Sequence, residues 1–231
     1  MNPTAASTAS PVSAWFMRQG LRPLLYVLGL MPAAWTFYLG FTDQLGADPV
    51  KVLERTLGLW ALRFLIIGLA ITPLRRLGGP NLVIYRRAIG LLAFYNAALH
   101  LTAYVYLDQA LDWQAVWEDI LKRPYITIGM LALTVLVPLA ATSNGYAVRW
   151  LGARWRTLHK LVYLACAAAV LHFVMLVKSW SPELLLYVVL IAALLAWRVW
   201  DHFDSKAKRA KKQRAKAAAK QAASMAKTLG A

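Results

Sequence analysis

Cysteine is nearly absent from this chain: among 231 residues only Cys166 carries a thiol. One thiol excludes an intrachain disulfide, a CxxC redox pair, a four-cysteine iron–sulfur cluster and the CxxCH attachment of a c-type haem. Acid is scarce too, with 10 Asp and Glu against 26 Lys and Arg, and histidine numbers only four. Any resident metal is left with a site built from His or one built from carboxylates. No GxGxxG fingerprint, Walker loop or nucleophile elbow occurs, and no internal repeat. Apolar residues are abundant instead: 60% of the chain, against 16% charged, where a soluble domain carries about 45–50%. That balance argues against a soluble enzyme.

Six apolar runs, 23–41, 56–74, 88–107, 125–141, 158–177 and 184–200, have the roughly 17–25 residues needed to cross about 30 Å of hydrocarbon. A backbone in lipid must satisfy its own hydrogen bonds, so each run reads as a helix. The expected fold is an all-α integral membrane bundle of six transmembrane helices. Pro32, Pro73 and Pro138 fall within or near the ends of these runs, where a membrane helix tolerates a kink.

The connecting charges alternate. Arg18, Arg22, Arg75, Arg76, Arg86, Arg87, Arg149, Arg154, Arg156 and Lys160 belong to one side, with the nine bases of the last 26 residues. The other side has Lys51, Arg55, Lys122, Arg123 and Lys178, together with eight of the ten acids. By the positive-inside rule both termini are cytoplasmic. The first fourteen residues lack a basic n-region, so the first run reads as a retained span. The expected organisation is a cytoplasmic segment 1–22, a membrane domain 23–200 and a basic cytoplasmic tail 201–231.

Two stretches lie outside the runs. Between residues 108 and 124, Trp113, Val116, Trp117, Ile120 and Leu121 recur at helical spacing, predicting an amphipathic helix on the outer membrane surface. Asp112, Glu118 and Asp119 then face water as a docking surface for a partner. The Ala/Lys/Arg/Gln tail is either disordered or a solvated helix attracted to anionic membrane lipid; a nucleic-acid partner is not expected.

Three of the four histidines, His100, His159 and His172, fall in or at the edge of a span, where an ionisable group is costly and marks function. His100 precedes Asp108 by eight residues and His172 precedes Lys178 by six, so both lie roughly 10 Å below the outer surface at 1.5 Å per residue. Two parallel helices presenting imidazoles at one depth can hold a haem b iron from both sides, leaving no open position for oxygen. Arg63 falls at about the same depth, eight residues after Arg55. The spans around it hold no Asp or Glu, so a haem propionate is its expected anion.

His159 sits about 20 Å further in, thirteen residues before His172. The matching inner position before His100 holds Arg86 and Arg87, so His159 takes an unusual partner as a second metal ligand or lines a quinol or flavin site with Arg87 and Arg156. Cys166 reads as packing, Asn96 and Tyr104 as neighbours of His100 one turn away, 143–145 as a helix stop, and His202 as solvated.

The stretch from Arg86 to His100, with Thr142-Ser143-Asn144-Gly145, Leu151-Gly152, Trp155, Leu158-His159-Lys160-Leu161-Val162-Tyr163 and Leu171-His172-Phe173, resembles the ferric-reductase-like transmembrane family. Within it the chain is similar to the haem-binding membrane subunits of bacterial periplasmic methionine sulfoxide reductase systems. The resemblance implies haem b, a bound FMN, electrons from the quinone pool, a molybdenum-containing periplasmic partner of MsrP type and a multi-pass place in the bacterial inner membrane. Larger relatives carry two His on the third helix; here Arg holds the inner place. Two rivals remain. A self-sufficient ferric reductase needs a flavin and nicotinamide domain, which a 31-residue basic tail does not build. A proton-coupled transporter with His relays would normally use intramembrane acids.

Overall fold

The computed structural model describes residues 21–177 and 179–229, with side chains for all but 209, 212 and 217–229. The expectations attached to the N-terminal segment, Arg18 and Lys178 lie outside the described residues. Those residues contain helices and turns and no strand. They fall into two compact units divided after Ile191.

In the first unit, α1 (Leu21–Phe41) carries Pro32, and the Thr36 hydroxyl donates to the Pro32 carbonyl at 2.7 Å. Gly29, Ala33 and Thr36 are buried, while Val27, Met31, Trp35 and Tyr38 stand exposed on another face. A large apolar face left uncovered suits hydrocarbon as its solvent. α2 (Pro49–Arg76) starts with Asp48 as N-cap and Pro49 in the first turn, both start signals for a helix. A short 3₁₀ turn, Leu82–Tyr85, leads into α3 (Arg86–Ala103), which passes into a π-helical turn, Tyr104–Asp108. Next come α4 (Trp113–Lys122), α5 (Pro124–Ala141), α6 (Gly145–Leu151) and α7 (Ala153–Leu158). Gly152, between α6 and α7, has φ of +52°, a backbone state that favours glycine. A 3₁₀ turn, His159–Leu161, then joins α8 (Val162–Leu176), and α9 (Pro182–Leu229) closes the chain.

Six helical segments are long and apolar enough to cross a membrane: 21–41, 49–76, 82–108, 124–141, 153–176 and 182–216. They match the six runs, but several start earlier than the apolar residues do, because capped helix ends reach past the hydrocarbon. α2 includes Glu54 and α9 includes Glu183, both in the turns that precede the apolar runs. α2 lies along α3 and α5 along α8 in the two most extensive helix pairs. At the start of α3, Arg86 ties it to α2 by donating to the Thr72 hydroxyl at 3.0 Å and the Gly68 carbonyl at 3.4 Å. Leu57, Leu92, Asn96, Cys166, Leu184 and Ile191 are fully buried, which places Cys166 among packing residues as expected.

In the second unit α9 remains helical to Leu229, and Lys208 pairs with Asp204 one turn back at 2.8 Å. Of the two readings of the tail, the helix is the one observed.

Candidate functional site

His100, in the last turns of α3, and His172, in α8, face each other with ring centroids 6.3 Å apart and planes at 69°. In both rings Nδ1 is engaged by a main-chain carbonyl on a neighbouring helix. His100 donates to Glu54 O on α2 at 2.8 Å and His172 donates to Tyr125 O on α5 at 2.6 Å. A carbonyl only accepts, so each Nδ1 carries a proton, and in the neutral imidazole that leaves Nε2 unprotonated and able to bind a metal.

The spacing tests whether one iron fits between the rings. A five-membered ring of ~1.33 Å bonds has a radius of about 1.1 Å, and a metal–imidazole bond is about 2.0–2.1 Å. Two such reaches end to end come to about 6.3 Å, the separation observed. Two buried oxygens on residues tied to this site lack a hydrogen-bond partner: Glu54 Oε1, on the residue whose carbonyl holds His100, and Asn96 Oδ1, one turn before His100. Asn96 is fully buried and uses its Nδ2 on the Leu92 carbonyl at 2.9 Å. Among the described residues no cluster of three or more His, Cys, Asp or Glu could hold a metal, so the His pair is the strongest metal-binding arrangement they offer.

Two residues at this site carried no signal in the apolar pattern. A Cβ at Gly58 would lie 3.4 Å from His100 Nδ1, and one at Gly129 would lie 2.9 Å from His172 Nδ1. Each glycine sits four residues after the carbonyl that holds the ring. Beyond His100 the helix widens into the π turn, a feature common at functional sites.

Arg63 has partners within the chain. Its Nε donates to the Tyr187 hydroxyl at 2.7 Å and its Nη2 lies 3.4 Å from Glu183 Oε1. Its guanidinium stands 4.9 Å from the Trp60 ring. Glu183 also pairs with Arg55 at 3.3 Å. The anion thus comes from this chain, because α9 begins at Pro182 and brings Glu183 beside α2. These contacts make Arg63 a tie between two helices.

His159 occupies the 3₁₀ turn before α8. Its ring stacks on Trp155 at 3.9 Å and 26°, with Nδ1 3.1 Å from the Trp155 carbonyl and Nε2 3.4 Å from the Ser143 hydroxyl. Trp155 in turn donates Nε1 to the Thr142 carbonyl at 2.9 Å, and the Arg87 guanidinium stands 6.0 Å from its ring. His159 and Arg87 therefore share an aromatic platform.

On the outer loop, α4 forms with Asp112 as N-cap, accepting from the Gln114 and Ala115 amides at 3.0 Å each. Val116 is buried, and Trp113, Trp117 and Leu121 are exposed, as a membrane-surface helix requires. An apolar cleft of about 470 Å³ separates α4 from Leu101, Val105 and Met130. Each of the three acids has a contact within the chain. Asp119 accepts from the Tyr104 hydroxyl at 2.8 Å and pairs with Arg123 at 3.1 Å. Glu118 pairs with Lys122 at 2.6 Å, which holds its carboxyl below the ordinary range. A helix cap and a tether occupy two of the three.

Residues 57–170 match the family described as ferric reductase like transmembrane component. The chain is also similar to proteins of Brucella ovis, Brucella canis and Brucella suis, each named "Protein-methionine-sulfoxide reductase heme-binding subunit MsrQ". Identity is 59% over 176 residues, covering 76% of this chain and 80% of each relative.

Proposed function

Because the chain belongs to the MsrQ family of ferric-reductase-like membrane proteins, we propose that it is the electron-transfer subunit of a methionine sulfoxide reductase system. It takes electrons from the quinone pool and passes them through one haem b to a periplasmic, molybdenum-containing reductase of MsrP type. Repair of oxidised periplasmic proteins is the outcome. The supporting observation is the His100–His172 pair, two neutral imidazoles separated by the span that one iron needs.

His100 and His172 would hold the iron, and the Glu54 and Tyr125 carbonyls orient their rings. Haem held there would supply a one-electron couple, and an iron held by both imidazoles would have no open position for oxygen. The protein's share is then positional: it holds the rings, excludes water with the apolar helices around them and moves no proton at Nδ1. The distribution of basic residues supports cytoplasmic termini in a bacterial inner membrane, which puts this pair toward the periplasmic side. The inner group of Trp155, His159, Arg87 and Arg156 suits FMN, offering a flat ring to stack on and guanidinium groups for a phosphate.

The test is the visible spectrum of protein purified from cells supplied with haem. A sharp, reducible Soret band is expected. His100→Ala and His172→Ala should each abolish the low-spin signal, and His159→Ala should spare it. Retention of full low-spin haem in both of the first two variants refutes the assignment.

A further inference from the structure

We infer that Gly58 and Gly129 are positioning residues: each leaves a helix carbonyl uncovered so that a histidine from the neighbouring helix can bind it and present Nε2 in one orientation. The inference rests on the reading of His100 and His172 as axial ligands.

In an α-helix the carbonyl of residue i already accepts the amide of residue i+4. Its second lone pair is free, but side chains tilt toward the helix N-terminus and cover the turn before their own Cα. The residue that shields carbonyl 54 is therefore residue 58, and the residue that shields carbonyl 125 is residue 129. Both are glycine, on two different helices, and both uncovered carbonyls receive a histidine Nδ1. Neither glycine has a positive φ, so the backbone does not require it, and glycine inside a helix is otherwise unfavourable relative to alanine. The steric contacts explain the choice. A Cβ at position 129 would stand 2.9 Å from His172 Nδ1 and 3.0 Å from its Cε1, so the ring must move. At position 58 the corresponding distances to His100 are 3.4 and 3.5 Å, so a methyl group fits and a larger side chain does not. Gly90 on α3 has nothing within 4 Å of its Cβ position and is the matched control.

A hydrogen bond from the non-ligating nitrogen fixes the tautomer and raises the basicity of the ligand, and its loss typically weakens metal affinity by about 10–100-fold. Haem-loaded variants in detergent are compared by transfer of haem to apomyoglobin, by the ferric-to-ferrous ratio at a fixed solution potential, and by thermal unfolding after haem removal. Gly129→Ala should retain haem about tenfold less tightly or worse, and its ferric-to-ferrous ratio should fall, because a less basic imidazole favours ferrous iron. Its apo-protein should unfold no earlier. Gly58→Ala should change little, Gly58→Val should reproduce the Gly129→Ala effect through the other ring, and Gly90→Ala should change neither haem readout. If Gly129→Ala fails to accumulate, Gly58→Val carries the test alone. The inference is overturned if these variants keep haem and ratio as Gly90→Ala does. Destabilised apo-protein with an unchanged ratio in the remaining haem also overturns it, making the glycines helix-packing residues. His172→Ala separates the two layers: retained low-spin haem there brings down the ligand reading, whereas its loss alongside silent glycine variants brings down this inference alone.

Discussion

Removing the Arg63 side chain discriminates between a cofactor contact and a tie between helices. The Arg63 Nε bond to the buried Tyr187 hydroxyl is short, 2.7 Å, and a hydrogen bond with one charged partner contributes about 1.5–3 kcal/mol net. The ion pair to Glu183 is longer, 3.4 Å, with both side chains about one-third exposed, so screening limits it to about 0–1 kcal/mol. Arg63→Ala should therefore cost about 2–3 kcal/mol, most of it through Tyr187. Tyr187→Phe should cost slightly less, and the double variant should be no worse than Arg63→Ala. The resulting coupling of about 1.5 kcal/mol or more exceeds the roughly 0.3–0.5 kcal/mol scatter of independent sites. Arg63→Lys should recover only part of it, because an ammonium lacks the fixed fork that reaches Tyr187, Glu183 and the Trp60 face together. The assay is equilibrium unfolding in mixed micelles, run with and without haem. A tie between helices predicts equal losses in the two forms. A coupling within the additive scatter, or a loss confined to the haem-loaded form with a shifted midpoint potential, refutes this account and restores the propionate contact.

Asp112→Ala should cost about 1 kcal/mol through its lost N-cap and loosen α4, read as a change in Trp113 and Trp117 emission in nanodiscs, with the haem spectrum unaltered. The depressed Glu118 carboxyl adds a small pH dependence to that emission. Its contribution is complete above its ordinary value of 4.5 and fades as pH falls through the lower folded value, so emission should be flat from pH 8 to 5 and the acid change should shrink in Glu118→Gln. For docking, Glu118→Lys is the cleanest charge reversal because Glu118 neither caps α4 nor holds Tyr104. It should slow haem reoxidation by the periplasmic partner at low salt and flatten the salt dependence; an unchanged rate at every ionic strength removes α4 from the docking surface.

The partners of Arg63 were not legible, because residues 183 and 187 look like a loop and the start of an apolar run, 120 residues and more from it. The ties of Asp112 and Asp119 were not legible either, because spacing places them on a polar face without revealing that one caps the helix and the other receives Tyr104. That His100 and His172 lie level with each other, by contrast, needed only the rise of a helix and the positions of the charges flanking it.

Those successes share a cause. Helix length, caps, span number and depth along a span depend on neighbouring residues and on the thickness of hydrocarbon, so they are written along one dimension. The six spans and the matched histidines were legible there. Rotation about each helix axis and the choice of neighbours depend on how faces pack across the bundle, and they alone decided that Glu54 and Tyr125 hold the imidazoles, that Glu183 meets Arg63, and that Gly58 and Gly129 stand where a bulkier side chain would cover a carbonyl.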